Sequence, residues 1–304
     1  MKDTMASAKI IFIVFFMLLN WMVFPAFASG ESASLPWNLL GGTPAQESGF
    51  IDENVYEDPT IRVQLEEYWV EKTRCLVARV WIADPSQLRT APAYDFARDQ
   101  EAYVVDMARR VNAIVAINGD YYSYWRETQG GYLIRQGTMY LDQVIARRDV
   151  LLIDDQGDFT IVQDSSKEKI AEAVNGKRIV NSFNFGPGLI VDGVRLDKNY
   201  DALYNRSAER HQRCAICQLE KGSGEYLMAV CEGIWTEEEC GLTMLEWADF
   251  LASLGGVTNA YNLDGGNSTA LIFHGVKQNE TSNPHHRKLS DIIYFASAYK
   301  AEEE

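Results

Sequence analysis

Two short loops carry the residues whose types and spacing suggest chemistry. One reads DGGNS at residues 264–268, and the other reads NGD at residues 118–120. Each loop follows a short apolar segment and places glycine beside polar groups, so that backbone amides can approach a ligand such as a phosphate. A carboxylate beside buried apolar residues needs a partner or a function. Asp264 and Asp120 are therefore the first candidates for acid–base, nucleophilic or metal-binding roles.

The alternative for each loop is a tight turn that its aspartate only caps. Apolar segments on both sides of the DGGNS loop favour a partly buried Asp264, which argues against that alternative. Tyr121 and Tyr122 follow the NGD loop, with Tyr124 and Trp125 close behind. Aromatic rings beside polar groups are typical of sugar sites, but a cluster of core aromatic residues at a sheet edge explains them equally well.

Two arginines have the planar donor fork that suits phosphate oxygens. Arg213 begins a predicted strand, and Arg287 follows His285 and His286 in a late loop. A surface ion pair is the usual role of a single arginine. Two adjacent histidines are too few for a zinc site, so a solvated loop is the better interpretation of that segment.

A helix and a short strand precede each candidate loop. Asp99–Val111 has apolar residues on one stripe, and the strand Ala113–Ile117 then leads into the NGD loop. Thr243 and Glu246 form a capping box for the second helix. The strand Asn259–Leu263 then leads into the DGGNS loop. On the second helix the predicted buried stripe is Leu245, Ala248, Leu251 and Ala252.

Hairpins account for much of the remaining chain. IRVQLEEYWV with CLVARVWIA, VLLIDDQGDFTIV, and HQRCAICQLE with EYLMAVCEG have the apolar spacing and turn residues of paired strands. Strands interspersed with a few helices predict an α+β fold. We expect a mixed, strand-rich central sheet with flanking helices, in a single catalytic domain.

Composition and the N-terminus limit the function further. The 304 residues carry a net charge of −15, which argues against a nucleic-acid partner. Residues 1–28 have the basic start, apolar run and small-x-small ending of a signal peptide cleaved before Ser29; an uncleaved anchor is the alternative, and no other segment could span a membrane. Residues 29–59 are predicted to be a linker or loosely packed arm, and residues 60–304 the domain. The predicted location is therefore secreted or at the cell envelope.

Five cysteines would allow one or two disulfides in an exported protein. Cys214 and Cys217 form a CxxC, but on a strand residues three apart face opposite sides, so these two should not bond to each other. Buried thiols, with at most one disulfide, are the favoured interpretation.

Seven segments in order resemble the phosphodiester glycosidase family, whose members include bacterial exported proteins linked to exopolysaccharides. The segments are AINGDYYS, QGGYLIRQG, FGPGLIVDG, HQRCAI, LTMLEWADFLASLG, AYNLDGGNSTAL and SNPHHRKLSD. The resemblance implies an exported hydrolase that cleaves a sugar-1-phosphodiester on its glycosidic C–O side in an envelope or exopolysaccharide glycan. Its partner would be that phosphorylated glycan.

The resemblance also implies which residues form the site. Asp264, Arg213 and Asp120 would be catalytic, and the substrate would contact Asn118, Gly119, Tyr121, Tyr122, Gly265, Gly266, Asn267, Ser268 and Arg287. The sequence departs from the family's usual residues at Asp120, Tyr121, Tyr122, Cys217 and Asn267. Asp120 adds a second carboxylate, which is either catalytic or a metal ligand.

The roles expected for these residues follow from the bond to be broken. Phosphate is a good leaving group, so the site must mainly stabilise the sugar cation, hold the phosphate and activate water. Asp264 would be base or nucleophile, while Arg213 and the amides of Gly265 and Gly266 would hold the phosphate. Two alternatives remain: a metal-dependent phosphodiesterase with a divalent cation on Asp120 and Asp264, and a non-catalytic glycan-binding protein of the envelope.

Overall fold

The structure is a computed structural model that describes residues 34–120, 130–197, 204, 207–233, 240–281 and 287–300. The strands of this part of the chain are β1 Val55–Asp58, β2 Ile61–Val70, β3 Thr73–Ile82, β4 Leu88–Pro92, β5 Ala102–Tyr103, β6 Ala113–Asn118, β7 Gly131–Arg135, β8 Thr138–Gln143, β9 Val150–Asp154, β10 Phe159–Val162, β11 Ile179–Phe183, β12 Gly188–Val191, β13 Val194–Arg195, β14 Arg213–Gln218, β15 Glu225–Cys231, β16 Asn259–Leu263, β17 Leu271–Phe273, β18 Val276–Lys277, β19 Lys288–Leu289 and β20 Asp291–Ala296. The α-helices are α1 Val104–Arg110, α2 Lys167–Val174 and α3 Met244–Ser253, and three 3₁₀ turns include Gly266–Ser268.

Two large sheets face each other. The eight-stranded sheet has the order β1-β2-β3-β15-β14-β16-β12-β13, and the five-stranded sheet has the order β18-β17-β6-β20-β4. The main core lies between them and also takes side chains from the three-stranded sheet β10-β9-β11. The other faces of the two large sheets are covered by α3 and α1, respectively. The domain therefore has four layers, with a helix outside each sheet.

The alternation of apolar residues explains these layers. In β14, Cys214 and Ile216 point into the main core, whereas Ala215 and Cys217 face α3. In β6, Ile117 faces the main core and Ala116 faces α1. Both strands are therefore apolar on both faces, as expected for strands buried between two layers.

The strand-rich α+β fold in one domain is confirmed, but the sheets are not mixed. Every strand pairing in the described residues is antiparallel. The difference arises because each helical connection crosses over one strand. From β15 the chain passes through α3 to β16, and β14 lies between these two strands. From β4 it passes through α1 to β6, and β20 lies between them. The strands that each helix joins are parallel to each other without being neighbours.

The helices differ from their predicted phases and bounds. The capping box of Thr243 and Glu246 is present, but the buried face of α3 contains Met244 and Trp247, while Leu245 is 42% exposed and Ala252 is exposed too. The apolar residues at i, i+3, i+4 and i+7 from Met244 determine which face of α3 is buried, and among them Met244, Trp247 and Leu251 are large. α1 begins at Val104 because the two residues before it form β5, which pairs with β19.

The described part of the predicted linker, 34–59, packs against the domain. Strand β1 pairs with β2, Thr43 pairs with Ser297, and Trp37 and Phe50 pack on the main core. The predicted domain boundary at residue 60 therefore falls inside a hairpin, because a few apolar anchors outweigh the polar composition of the segment. No helix in the described residues is long and apolar enough to span a membrane.

All five cysteines are buried free thiols. Cys214 and Cys217 face opposite sides of β14, as predicted. Cys75 and Cys231 are cross-strand neighbours in β3 and β15. Burial raises the pKa of Cys214 well above its usual value, which makes it a poor nucleophile.

Candidate functional site

The two predicted loops meet where the two large sheets come together. Asn118 ends β6 in the five-stranded sheet, and Asp264 follows β16 in the eight-stranded sheet. The Asn118 amide Nδ2 donates to the carbonyl of Asp264 at 2.8 Å, and its Oδ1 accepts from the amide of Ala270 at 3.1 Å. Asn118 is fully buried, so its side chain holds the DGGNS loop against β6 and is not exposed towards a sugar.

Both glycines of the DGGNS loop are required by its geometry. A Cβ on Gly265 would lie 2.6 Å from the carbonyl oxygen of Gln212, and Gly266 has a φ of +57°. The Gly266 amide donates to that same carbonyl at 3.0 Å, and the Gly265 amide donates to the Asp264 carboxyl. Both amides expected to hold phosphate are therefore already engaged inside the protein.

Asp264 lies within a network of polar groups. The Ser268 hydroxyl hydrogen-bonds to the Asp264 carboxyl and accepts from Nη1 of Arg287 at 3.3 Å. Burial raises the pKa of Asp264 to about 6, helped by the negative charge of Asp120, while Ser268 and Arg287 partly oppose the shift. A carboxyl group with this pKa can exchange a proton near neutral pH. It also lies beside an arginine that can hold an anion.

Asp120 lies close enough to Asp264 for its negative charge to act on that carboxyl group, and it is anchored by its own partner. Its Oδ2 accepts from the backbone amide of Asn184 at 2.6 Å. The segment from Asn184 also reaches β16, since Asn262 Nδ2 donates to the carbonyl of Gly186 at 2.9 Å. The segment 184–186 thus contacts both Asp120 and the strand that precedes Asp264, a link that no local sequence pattern indicates.

A buried ion pair lies behind the NGD loop. Arg135 and Asp291 are both fully buried, and Arg135 Nε donates to Asp291 Oδ2 at 2.8 Å. Arg135 also lies over the ring of Phe183 at 4.3 Å, and the Asp120 amide hydrogen-bonds to the Asp291 carboxyl. Burial raises the pKa of Asp291 to about 6 despite the opposing charge of Arg135. The sequence contains one signal for this pair: opposite charges at the ends of two otherwise apolar strands.

Gly119 must be glycine because of Asp291. A Cβ at this position would lie 2.3 Å from Asp291 Oδ1. We expect Gly119→Ala to cost about 1–3 kcal/mol of folding stability and to lower any activity by displacing Asp120. Urea unfolding of Gly119→Ala, Asp291→Ala and the double variant would measure this. The glycine substitution should cost less in the Asp291→Ala background; an equal cost in both backgrounds would contradict the steric explanation.

Arg213 is placed differently from the other predicted residues. It lies beside the DGGNS loop through its backbone, but its Nε donates to the carbonyl of Leu242 at 2.9 Å and its Nη2 donates to the carbonyl of Glu209 at 2.8 Å. Burial lowers the pKa of its guanidinium. These contacts tie the loops before β14 and α3 together, so Arg287 is the better-placed arginine for a ligand beside Asp264.

Some of the predicted site residues lie outside the part of the chain that the structure describes, and others line a small cavity. Tyr121 and Tyr122 lie outside the described residues, as do His285 and His286. Asn267 and Ser268 line a small cavity beside the loop, which Arg287 also lines. Among the residues that the structure describes, no group of three or more histidine, cysteine, aspartate or glutamate side chains has a metal-binding arrangement.

Proteins of known structure share this fold. The catalytic domain of zebrafish N-acetylglucosamine-1-phosphodiester alpha-N-acetylglucosaminidase, auto-inhibited by its pro-peptide, is similar in fold, with a TM-score of 0.60 at 16% identity over 85% of this chain and 87% of that one. A hypothetical protein from Synechocystis matches with a TM-score of 0.53 at 16% identity, over 80% of this chain and 64% of that chain. A search of the curated proteins gave no match.

The sequence itself carries the stronger match. The profile described as phosphodiester glycosidase matches residues 111–296, a range that contains both candidate loops, α3 and the Arg135–Asp291 ion pair. This match spans more than half of the chain and confirms the resemblance of the seven segments. The chain belongs to the phosphodiester glycosidase family.

Proposed function

We propose that the protein is an exported hydrolase that cleaves a sugar-1-phosphodiester at the glycosidic C–O bond, in a glycan of the cell envelope or an exopolysaccharide. One observation supports this above the others: a carboxyl group with a pKa of about 6 is linked through Ser268 to Arg287. Bond cleavage at C1 needs a carboxylate at the sugar. A phosphate leaving group needs a cation, and both groups lie in the same network.

The proposed roles follow from these contacts. Asp264, as the carboxylate, either takes the proton of the attacking water or attacks C1 itself, in which case water then hydrolyses the covalent glycosyl ester and frees the carboxylate. The C1–O bond breaks, and its electron pair leaves with the phosphate oxygen. We assign Arg287 to the departing phosphate, because Arg213 and the glycine amides are engaged by internal acceptors. Asp120 is the second carboxylate, held near Asp264 by the Asn184 amide.

Hydrolysis in heavy-oxygen water tests where the bond breaks. A set of sugar-1-phosphodiesters, nucleotide sugars included, would be incubated with and without chelator, and the products examined by mass spectrometry. Label in the released sugar is the expected result. Label in the phosphate, together with loss of turnover when chelator is present, would replace this proposal with metal-dependent cleavage at phosphorus. Glycan binding without any turnover would identify a binding protein.

Export is the other part of the proposal, and it rests on residues 1–28, which lie outside the described residues. Sequencing the N-terminus of the protein produced in its own host should give Ser29 as the first residue. A mature chain that retains the apolar run at residues 10–24 would point to the anchored alternative.

A further inference from the structure

The cavity beside the DGGNS loop is lined by a cationic side chain, Lys277, that the proposed mechanism does not use. Its lining combines polar groups of the loop with two cationic side chains, Lys277 and Arg287, and its apolar wall is formed by residues of α1, β5 and β17. The cavity volume is about 20 Å³. This exceeds the roughly 10–15 Å³ that one water occupies, so the cavity admits a few atoms at a time, such as the oxygens at the end of a ligand.

Lys277 is a partly buried cation that forms no ion pair with the residues that the structure describes. The only hydrogen bond of its Nζ within the described residues is a long one of 3.4 Å to the Thr281 hydroxyl. The negative charge of Glu232 acts on Lys277, but that carboxylate already pairs with Arg74 at 3.0 Å and accepts from the Glu280 amide at 2.8 Å. Burial lowers the pKa of Lys277. A charge withdrawn from water in this way is stabilised by an anion.

Other polar atoms at the cavity also lack partners. Within the described part of the chain, the fully buried Thr269 hydroxyl and the buried Asn267 Oδ1 atom form no hydrogen bond. Native proteins leave few such groups unpaired, and each calls for an explanation. A ligand atom with hydrogen-bonding capacity at the mouth of the cavity would supply one. Two cations beside a hydroxyl donor suit an oxyanion such as phosphate.

We propose that Lys277 and Arg287 form an anion subsite that takes the phosphate oxygens of the substrate. This inference rests on the proposed function for the identity of the substrate, but the binding of an anion here does not depend on catalysis. Ser268 hydrogen-bonds to Asp264 and accepts from Arg287. A phosphate bound by Arg287 would therefore lie next to the pair formed by Asp264 and Ser268. Lys277 is then a specificity residue for the negative charge of the leaving group.

Binding of inorganic phosphate to the whole protein tests the subsite without any substrate. Calorimetric titration should show binding to the parent protein, about 10-fold or more weaker in Lys277→Met, and close to the parent in Lys277→Arg. Lys221→Met is the matched control, because Lys221 is half exposed and pairs with Asp192 at the surface. It should bind phosphate as the parent does. Unchanged binding in Lys277→Met, or no binding by the parent at millimolar phosphate, would overturn the proposal.

Kinetics separates this proposal from the proposed function. If the parent hydrolyses a sugar phosphodiester, Lys277→Met should raise KM and the inhibition constant of phosphate about 10-fold, with a smaller change in kcat. If Lys277→Met turns over substrate with the KM and the phosphate inhibition constant of the parent, the subsite proposal is wrong and the proposed function stands. If phosphate binding depends on Lys277 but the parent turns over no sugar phosphodiester, the proposed function is wrong and the subsite proposal stands.

Discussion

Asp264→Asn is expected to reduce turnover by roughly 10³-fold or more while the protein stays folded. Asparagine keeps the size of the side chain and can still accept from the Ser268 hydroxyl, but it can neither take a proton nor attack carbon. Initial rates on the best sugar phosphodiester would measure the effect. Asp249→Asn is the control, because Asp249 is an exposed carboxylate on α3 that pairs with Arg195. A rate close to the parent's in Asp264→Asn would end the enzymatic assignment of this residue.

The same residue gives the reaction its pH dependence. A base or nucleophile must be ionised, and the pKa of Asp264 is about 6, so kcat/KM should fall as the pH drops through 6. This acid limb should be absent from the residual activity of Asp264→Asn. A parent kcat/KM that is flat from about pH 5 to about pH 8, a range that includes this pKa, would contradict the role.

Stability should change in the opposite direction to activity. The pKa of Asp264 is higher in the folded state than its ordinary value of 3.8, so the folded state holds the proton more tightly than the unfolded state. The stabilising contribution is complete below about pH 4 and is lost as the pH rises through 6. At pH 8 the Asn variant should therefore be more stable by about 1–2 kcal/mol, a value reduced from the full shift because Asp264 keeps some exposure. Urea unfolding at pH 8 and pH 5 would show a gain that shrinks at the lower pH.

Arg135→Met should cause the largest loss of stability, about 3–5 kcal/mol, since it leaves Asp291 as an unpaired buried carboxyl. Both side chains of this pair are fully buried, and the Arg135 Nη2 to Asp291 Oδ2 distance is 2.8 Å. Activity should fall as well, because the Asp291 carboxyl contacts Gly119 and the Asp120 amide. Arg135 and Asp291 are positioning residues and do not themselves touch the substrate.

A double-mutant cycle would distinguish this effect from a general loss of packing. Arg135→Met with Asp291→Asn should cost clearly less than the sum of the two single variants, because the pair is removed together. Arg98 and Asp95 form a matched exposed pair, with side chains 70% and 49% exposed, and Arg98→Met should cost under about 1 kcal/mol. Equal costs for Arg135→Met and Arg98→Met would show that the buried pair contributes nothing special.

Local features of the fold could be predicted from the sequence. The capping box of Thr243 and Glu246, the hairpin of β2 and β3, and the strands before both candidate loops all depend on residues close in the chain. The phase of α3 was harder, because Leu245 is as apolar as the residues that are buried. Strand direction could not be predicted, since a helix between two strands looks the same whether or not another strand lies between them.

The candidate site also combines features that the local sequence predicts with contacts that it does not. The Asp264 and Asp120 loops are visible as glycine-containing turns after apolar strands, and they do meet. The groups that fix their geometry come from distant parts of the chain: Asn184 is 64 residues from Asp120, and Arg135 is 156 residues from Asp291. No short-range pattern predicts such contacts. For Arg213 the local sequence was misleading. Its position at the start of a strand fits a phosphate site, but its guanidinium donates to two backbone carbonyls.

Asp120 follows β6 and Asp264 follows β16, and these two strands belong to different sheets. A substrate that contacts both carboxylates would therefore act as a cross-link between the halves of the sandwich. Ligand binding should then slow hydrogen exchange at amides of β6 and β16 together, and far into the core that separates them. Denaturant would separate the carboxylates as soon as the sheets part, so activity should disappear with the first loosening of the core, before the hairpins at the edges unfold.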